Sequence, residues 1–569
     1  MTPEETKKKR KSFYVFDFEN RNTLENRSTL TTSIWLWDVC DEELKHVHGT
    51  DIESFIEYIK TIAPATLYSH NLKYDASFII SYFLNHGWKF SDKLEKNKQF
   101  TALCDDLGRL YFLKARVENP NLKKSRSLRT IDFRDSAKKI DGSVEEIAVS
   151  YDLPIRKGHI DHEKIRPKGY QPDSDEISYV ENDTEIIMRV LLKQYESGLT
   201  KLTTAADSFN SYLEEVGRGS FRDYFPVLPL EIDNICREAW NGGYVVAAEK
   251  YKGKILRDVY AYDYNSKYAA IMAYRTLPYG EPIPFKGKPK KSELYPLYIV
   301  HFKACFKIKP GRFPHIPSKN TFFTKVEYIS DTGLELKELY LTNPDFELFL
   351  EDYEIFEIKY LDGLYFHGSD NLFRDYILRL YDVKMNAKDG SEKENAKKLL
   401  TGLYGKFGTT PRHITRKPIL NEDGVLKWIL YKDETGDPVY TAMAAFICAY
   451  GHVDIIKDMN SHYDIVAYGD TDSIHTVGKA TGFKISDQLG DFKIESHFKE
   501  VKYLATKAYY GIEDDDTPRI KCSGLPAEAK KGLTLHQFEI GHKFEGKLQS
   551  MAVAGGTILA PSTFTIKDR

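Results

Sequence analysis

The chain is poor in cysteine, tryptophan and methionine, with six, five and seven of them among 569 residues. The cysteines, Cys40, Cys104, Cys236, Cys305, Cys448 and Cys522, form no C-x-x-C and no Cys/His ligand spacing. That argues against a zinc site and a disulfide framework, and predicts reduced, mostly buried thiols in a reducing compartment. No run of ~18 apolar residues is present, so no membrane span is expected. Residues 7–11 are basic but no apolar stretch follows, which predicts a solvated arm rather than a secretory leader. Internal repeats and low-complexity tracts are missing too. So is an excess of charge of either sign, since the net charge is −3. Alone, that speaks against a nucleic-acid binder. A chain that holds several acidic metal sites can nonetheless be near neutral and carry a basic groove.

What is present is length and ordinary globular composition, 41% hydrophobic and 29% charged. The length predicts three or four domains at ~100–200 residues each. Residues 13–195 alternate strand-like and helix-like segments, as in one α/β domain. Strand-like runs then fall at 259–263 and 465–468, and a lysine-rich helix spans roughly 391–404. Pro/Gly punctuation around 277–280 and 310–317 predicts an inserted, loop-rich subdomain. Glu422-Asp423-Gly424 signals a hairpin inside a second interruption, and the last ~45 residues read as a small β-rich end domain.

The acidic residues carry the chemistry. Tyr468-Gly469-Asp470-Thr471-Asp472-Ser473 lies between apolar runs, at the tip of a predicted hairpin. In extended chain Asp470 and Asp472 point the same way. Two carboxylates ~4 Å apart repel by ~4 kcal/mol at an effective dielectric of 20, and a hard divalent cation would relieve them. By itself this motif is more often an acidic surface turn. Asp263, ending another apolar strand, changes the balance, because acids from two strands suit two-metal phosphoryl transfer. On the lysine-rich helix, Lys393, Lys397, Thr401 and Tyr404 share one stripe. Its lysines suit triphosphate oxygens and Tyr404 suits contact with a nucleotide, although such a stripe is usually a solvated face.

The first half offers a second set. Asp17 and Glu19 share a strand face. Asn71 with Asp75, and Tyr179 with Asp183, each share a helix face. Asp17, Glu19, Asp75 and Asp183 together suit two metals that hydrolyse a phosphodiester. Tyr179 would orient the attacking water and Lys157 would steady transition-state charge. Each fragment alone reads as an exposed acid at the end of an element; the ordered set is more specific.

At these residues the sequence resembles the protein-primed family B DNA polymerases of small tailed bacteriophages, over residues 13–567. Asp17-Phe18-Glu19, His70-Asn71-Leu72-Lys73-Tyr74-Asp75 and Tyr179-Val180-Glu181-Asn182-Asp183 resemble the three exonuclease motifs, and Lys157-Gly158 resembles the exonuclease lysine segment. Residues 263–268, 397–405 and 468–473 resemble polymerase motifs A, B and C. Lys507-Ala508-Tyr509 resembles the K-x-Y motif, and Trp240-Asn241-Gly242-Gly243 the Y-x-G-G link.

The resemblance implies a multidomain α/β and α+β fold. An RNase H-like 3′-5′ exonuclease domain (1–195) would precede a right-hand polymerase. That polymerase would comprise palm (196–274 and 441–523), fingers (372–407) and thumb (524–569), with insertions at 275–371 and 408–440. It implies Asp263 and Asp472 as main metal ligands with Asp470 secondary, and two Mg2+ or Mn2+ ions per active site. Tyr268 would be the steric gate against a ribose 2′-hydroxyl, and Lys384 and Lys397 the triphosphate lysines. His70, Asn71, Tyr74, Phe78 and Ser136 would hold a single-stranded 3′ end. Lys507, Tyr509, Trp240, Gly242 and Gly243 would hold the primer. It implies a virus-encoded enzyme of the infected bacterial cytoplasm, working on primer-template and dNTPs. It would be monomeric apart from a heterodimer with a terminal priming protein, which the first insertion would dock. The second insertion would close a ring for processive, strand-displacing synthesis. The alternative is a 3′-5′ exonuclease whose polymerase half is mainly a DNA clamp. The chain departs from the usual motifs at Asn20, Ala137 and Trp240, at Lys267 and Ala269 within S-L-Y-P, and at Thr401-Gly402. None of these is a metal-ligand position.

Overall fold

The structure is a computed structural model that describes residues 12–162, 164–318, 327–525, 527–530 and 532–567. The basic run at 7–11 lies outside them. In the N-terminal domain the strand Phe13–Asn20 lies between Ile34–Cys40, antiparallel, and Ala65–Ser69, parallel. Ala65–Ser69 pairs in parallel with Leu128–Asp135, and the sheet continues through Leu110–Glu118 to Gln99–Asp105. The alternation of Phe13–Asn20 sorts its side chains by face. Phe16 and Phe18 pack with Phe55 and Phe133 on one side. Phe13 and Val15 pack with Ile186, Ile187 and Val190 of the helix Ser174–Glu196 on the other. Asp17 and Glu19 share that second side, so the strand presents its acids to the helix that bears Tyr179 and Asp183.

The sheet in which the resemblance places the palm has seven strands. Its order is Pro518–Cys522, Ala508–Glu513, Phe492–Ala505, Ile255–Tyr264, Ser473–Val477, Val466–Asp470, Val245–Ala247. The helix Thr441–Ser461, buried along most of its length, packs against it together with Lys267–Tyr274. The lysine-rich helix runs over Gly390–Phe407, and the Asp389 side chain caps it by accepting from the Glu392 N–H. Gly402 in this helix has a local reason. A Cβ there would lie 2.4 Å from Ser208 Oγ of the helix Thr204–Val216, so glycine lets the two helices approach.

One expectation is corrected. The first insertion is not loop-rich. It is a four-stranded sheet of Leu277–Lys286, Tyr353–Ser369, Leu297–Ile308 and Lys337–Thr342, with the helix Asn343–Asp352. Of the segments that suggested loops, 277–280 lies in the edge strand beside a register shift, where the missing N–H of Pro278 is tolerated, while 310–315 is irregular chain. The second insertion holds the expected hairpin. Its hairpin, Arg412–Leu420 with Leu426–Thr435, extends the N-terminal sheet through the pairs Thr415–Asp105 and Arg416–Cys104.

The end domain contains the hairpin Lys543–Val553 and Gly556–Thr565. Its tip reaches back across the molecule. Thr32 N–H donates to the Ala554 carbonyl at 3.0 Å, and Ala554 N–H donates to the Leu30 carbonyl at 3.1 Å. Ala554 also bridges Val425 at the turn of the second insertion. The tip of this hairpin, the second insertion and the N-terminal domain thus close a ring. All six cysteines are free and buried. Among the described residues no helix is long and apolar enough to cross a membrane.

Candidate active sites

In the palm, Asp263 lies near the end of the strand Ile255–Tyr264, between Ser473 on one neighbour and Lys493 on the other. Its Oδ2 is 2.9 Å from Lys493 Nζ. Burial raises its carboxyl above the ordinary range, against the pull of that lysine. Asp472 is pushed up to about 6 by burial and then by Asp263 facing it. Two facing, part-buried acids of raised pKa are a set that a hard divalent cation would satisfy.

Asp470 does not share a face with Asp472 as extended chain would have it. Thr471 between them is left-handed, with φ 59°, and the turn breaks the alternation. Asp470 instead accepts from Tyr468 OH at 3.2 Å and Thr471 Oγ1 at 3.1 Å, and lies 3.8 Å from Lys507 Nζ. Tyr509 packs beside Tyr468, with ring centroids 5.5 Å apart. Gly243 backs the same turn: a Cβ there would lie 2.4 Å from Thr471 Oγ1. The Gly242 carbonyl is within 2.6 Å of His452 Nε2. Trp240 donates to Cys448 Sγ at 3.2 Å and covers Gly408, so its ring supports the helices rather than lying open.

Facing the acids is a basic wall. Lys393, Lys397 and Thr401 are exposed along one stripe of their helix. Lys384 Nζ donates to Ser266 Oγ at 3.1 Å. Its ammonium is lowered by burial and then by Lys493, Lys397 and Lys393, which gathers four lysines in one field. The Tyr268 ring packs against Tyr404, tilted by 32° with centroids 4.4 Å apart. Lys493 was missed in the sequence, because its link to Asp263 is a strand pairing far along the chain and carries no motif.

The N-terminal site is more crowded. Asp17 is pushed up to about 7 by burial and then by Asp183. Burial with Asp17 and Asp183 drives Glu19 well up, and burial with Asp17 does the same to Asp75. Asp183 is raised by burial although Lys157 Nζ donates to its Oδ2 at 2.5 Å. Asp75 accepts a very short hydrogen bond from Ser69. One oxygen of Asp75 and one of Asp183 are buried without a hydrogen-bond partner. Orphaned, mutually repelling carboxylate oxygens fit divalent cations. Burial and the nearby Glu19 and Asp183 raise the Tyr179 hydroxyl, so it stays a neutral donor, with Lys157 Nζ 5.1 Å from its ring centroid. His162 Nδ1, 3.8 Å from Glu19 Oε2, joins this site unforeseen.

Around it, His70 sits between Ser136 Oγ at 3.0 Å and the Gly142 carbonyl at 2.9 Å. The left-handed Asn71 donates its N–H to Asp135 at 3.0 Å, and Tyr74 OH donates to Asn20 at 2.8 Å. Two further residues of the expected strand-holding set lie enclosed. Ser136 is fully buried and holds His70, and Phe78, 2% exposed, packs on Phe18 and under Gly556 of the end hairpin. One further ligand-like group among the described residues, Asp38, His46 and Glu181, is tied internally: His46 Nδ1 is 2.9 Å from Asp38, which also accepts from Thr184 at 2.5 Å.

Comparison with known proteins decides the class. Residues 61–481 match the family model for DNA polymerase type B, organellar and viral. The chain belongs to this family. This type B polymerase is 34% identical to the DNA polymerase of Bacillus phage phi29 over 582 residues, covering 98% of this chain and 99% of the relative. It is 36% identical to that of Bacillus phage M2 over 542 residues, covering 91% and 94%. Among solved structures it resembles phi29 DNA polymerase complexed with single-stranded DNA, with TM-score 0.91 and 32% identity, covering 98% of this chain and all of that one. The phi29 ternary complex with primer-template DNA and incoming nucleotides matches at TM-score 0.90, 32% identity and the same coverage. The fold is therefore that of an N-terminal exonuclease-like domain followed by a right-hand polymerase, and the chain is a DNA polymerase.

Proposed function

We propose that this DNA polymerase is also a 3′-5′ exonuclease, and that it replicates a phage genome by protein-primed, processive, strand-displacing synthesis. The observation that carries the two-activity reading is the pair of separate sites, each with close, buried or part-buried carboxylates pushed above the ordinary range. Mg2+ or Mn2+, two ions per site, would supply Lewis-acid activation of the attacking oxygen and stabilisation of the leaving one. In the palm, Asp263 and Asp472 would hold the ions with Asp470 secondary. Lys384, Lys393, Lys397 and Lys493 would hold triphosphate oxygens, and Tyr268 on Tyr404 would close the sugar pocket. Lys507 and Tyr509 would carry the primer end. In the N-terminal site Asp17, Glu19, Asp75 and Asp183 would hold the ions. Tyr179 would orient the water, Lys157 would steady the developing phosphate charge, and His70 and Tyr74 would grip the frayed strand.

The domain division follows the same reading: exonuclease 1–195, palm 196–274 and 441–523, fingers 372–407, thumb 524–569. The first insertion, 275–371, would dock the priming protein. The second, 408–440, would act through the ring it closes with the thumb tip, which suits a polymerase that stays on its template and parts the strands ahead. The site of action would be the infected host's cytoplasm. The test is a 5′-labelled primer on a longer template with Mg2+, with and without dNTPs. Extension with dNTPs and shortening without them is expected. Shortening that persists after removal of the N-terminal acids would defeat the exonuclease assignment. Normal nucleotidylation of the priming protein by a variant lacking 275–371 would defeat the docking role.

A further inference from the structure

Lys267 is 3% exposed, at the start of the helix Lys267–Tyr274, directly behind the motif that carries Asp470 and Asp472. A lysine buried this deeply normally needs full pairing. Its Nζ donates to the Thr471 carbonyl at 2.8 Å. It also lies 4.7 Å from the Tyr264 ring. Asp454 and Asp458 on the helix Thr441–Ser461 supply opposite charge, but each already has a partner of its own. Asp454 accepts from Arg275 at 2.6 Å, and Asp458 accepts from the Tyr264 hydroxyl. The lysine's own hydrogen bond therefore goes to the turn.

That turn is held at every backbone group around Thr471. Thr471 N–H donates to the Tyr244 carbonyl at 2.7 Å, and the Asp472 carbonyl accepts from Tyr264 N–H at 2.9 Å. The Thr471 carbonyl, in the left-handed residue between two acids, is the group that Lys267 alone satisfies with a side chain. We propose that Lys267 is a positioning residue of the polymerisation site, pinning the Thr471 carbonyl so that the Asp472 carboxylate is kept facing Asp263, with which it would hold a cation. This rests on the reading of Asp263 and Asp472 as metal ligands. Outer groups that orient a ligand typically change metal affinity 10–100-fold, and a ~1 Å misplacement of a reacting group costs about 100-fold in rate.

The test uses Lys267→Met in the full chain. Mn2+ binding is followed by electron paramagnetic resonance, with primer-template and a non-hydrolysable dNTP present. The background is Asp17→Ala/Asp183→Ala, so that the N-terminal site is silent. Mn2+ affinity is expected to fall about tenfold. In the otherwise native chain, kcat for extension should fall more than tenfold with dNTP KM within about threefold, and exonuclease activity on single-stranded DNA should be unchanged. Asp472→Ala is the control. If it leaves Mn2+ binding and extension intact, the ligand assignment fails and Lys267 with it. If it removes both while Lys267→Met binds Mn2+ and extends like its background, the positioning role alone is overturned. Should Lys267→Met lose exonuclease activity and melting temperature together, Lys267→Gln is measured in its place, with the same outcomes.

Discussion

In the N-terminal site four carboxylates crowd around one lysine, whereas in the palm two facing carboxylates, Asp263 paired with Lys493, stand across from three further lysines. On the proposed reading both sites receive cations, but the N-terminal one carries the larger excess of acid over lysine. A hydrolytic site need bind only one phosphodiester and a water, and its excess negative charge is balanced by ions alone. A polymerising site must also hold a triphosphate, whose oxygens need cations that remain in place when the ions leave with the pyrophosphate. Lys157, bonded to Asp183, serves the site's own acid. Lys384, Lys393 and Lys397 have no such acid among the catalytic set, and the three repel one another, with Lys493 adding to the field.

The hardest test of this comparison is to remove one acid from each side. Asp472→Ala is expected to lower extension by more than about 100-fold and leave exonuclease activity intact, and Asp17→Ala to do the reverse. Equal loss of both activities from either change, with the fold intact by circular dichroism, would break the separation. A second test targets the lysine wall. Lys384→Met should raise the KM for dNTP about tenfold with a smaller change in kcat, because it removes binding that is shared by ground and transition states. No change in the exonuclease is expected, and a KM that stays put would remove Lys384 from the wall. A third sharpens the geometry. Gly243→Ala would drive a Cβ to within 2.4 Å of Thr471 Oγ1, and extension should drop several-fold while single-strand digestion continues. Unchanged extension would mean the turn has room to move.

Local rules made some of this legible in the sequence. Period-2 alternation in Phe13–Asn20 put Asp17 and Glu19 on one face, and the helical stripe Lys393–Lys397–Thr401 is exposed as its spacing required. The same alternation failed at Asp470 and Asp472, because Thr471 adopts a left-handed conformation that no propensity assigns to threonine. Pro/Gly punctuation misled at 277–280, since it marks an edge strand as readily as a loop. What stayed hidden was non-local. Lys493 meets Asp263 through a strand pair, and the second insertion joins the N-terminal sheet through Arg416 and Cys104. Lys267 was visible only as a departure from a motif, and its hydrogen bond to Thr471 gives that departure a meaning.

The smallest expected effect is on stability, and its size separates the two sites again. Asp17 titrates at about 7 in the fold against 3.8 for a free side chain, so between those values the native state binds the proton that the unfolded chain has lost. Stability from this group is then fully present below about 4 and is lost as pH rises to about 7. Glu19, Asp75 and Asp183 are shifted the same way. Asp17→Asn should therefore raise the melting temperature of the metal-free chain at pH 8 by a few degrees, at about 2–4 °C per kcal/mol. At pH 5 the gain should shrink, and with Mg2+ it should vanish or reverse, because the ions bind the carboxylate that the asparagine lacks. Asp263→Asn should gain less, since Lys493 already offsets its charge. A scanning calorimetry series at the two pH values, with and without Mg2+, measures all of this. Equal gains from the two substitutions would mean that the N-terminal acids are no more strained than those of the palm, and that the lysines across from Asp263 do not relieve it.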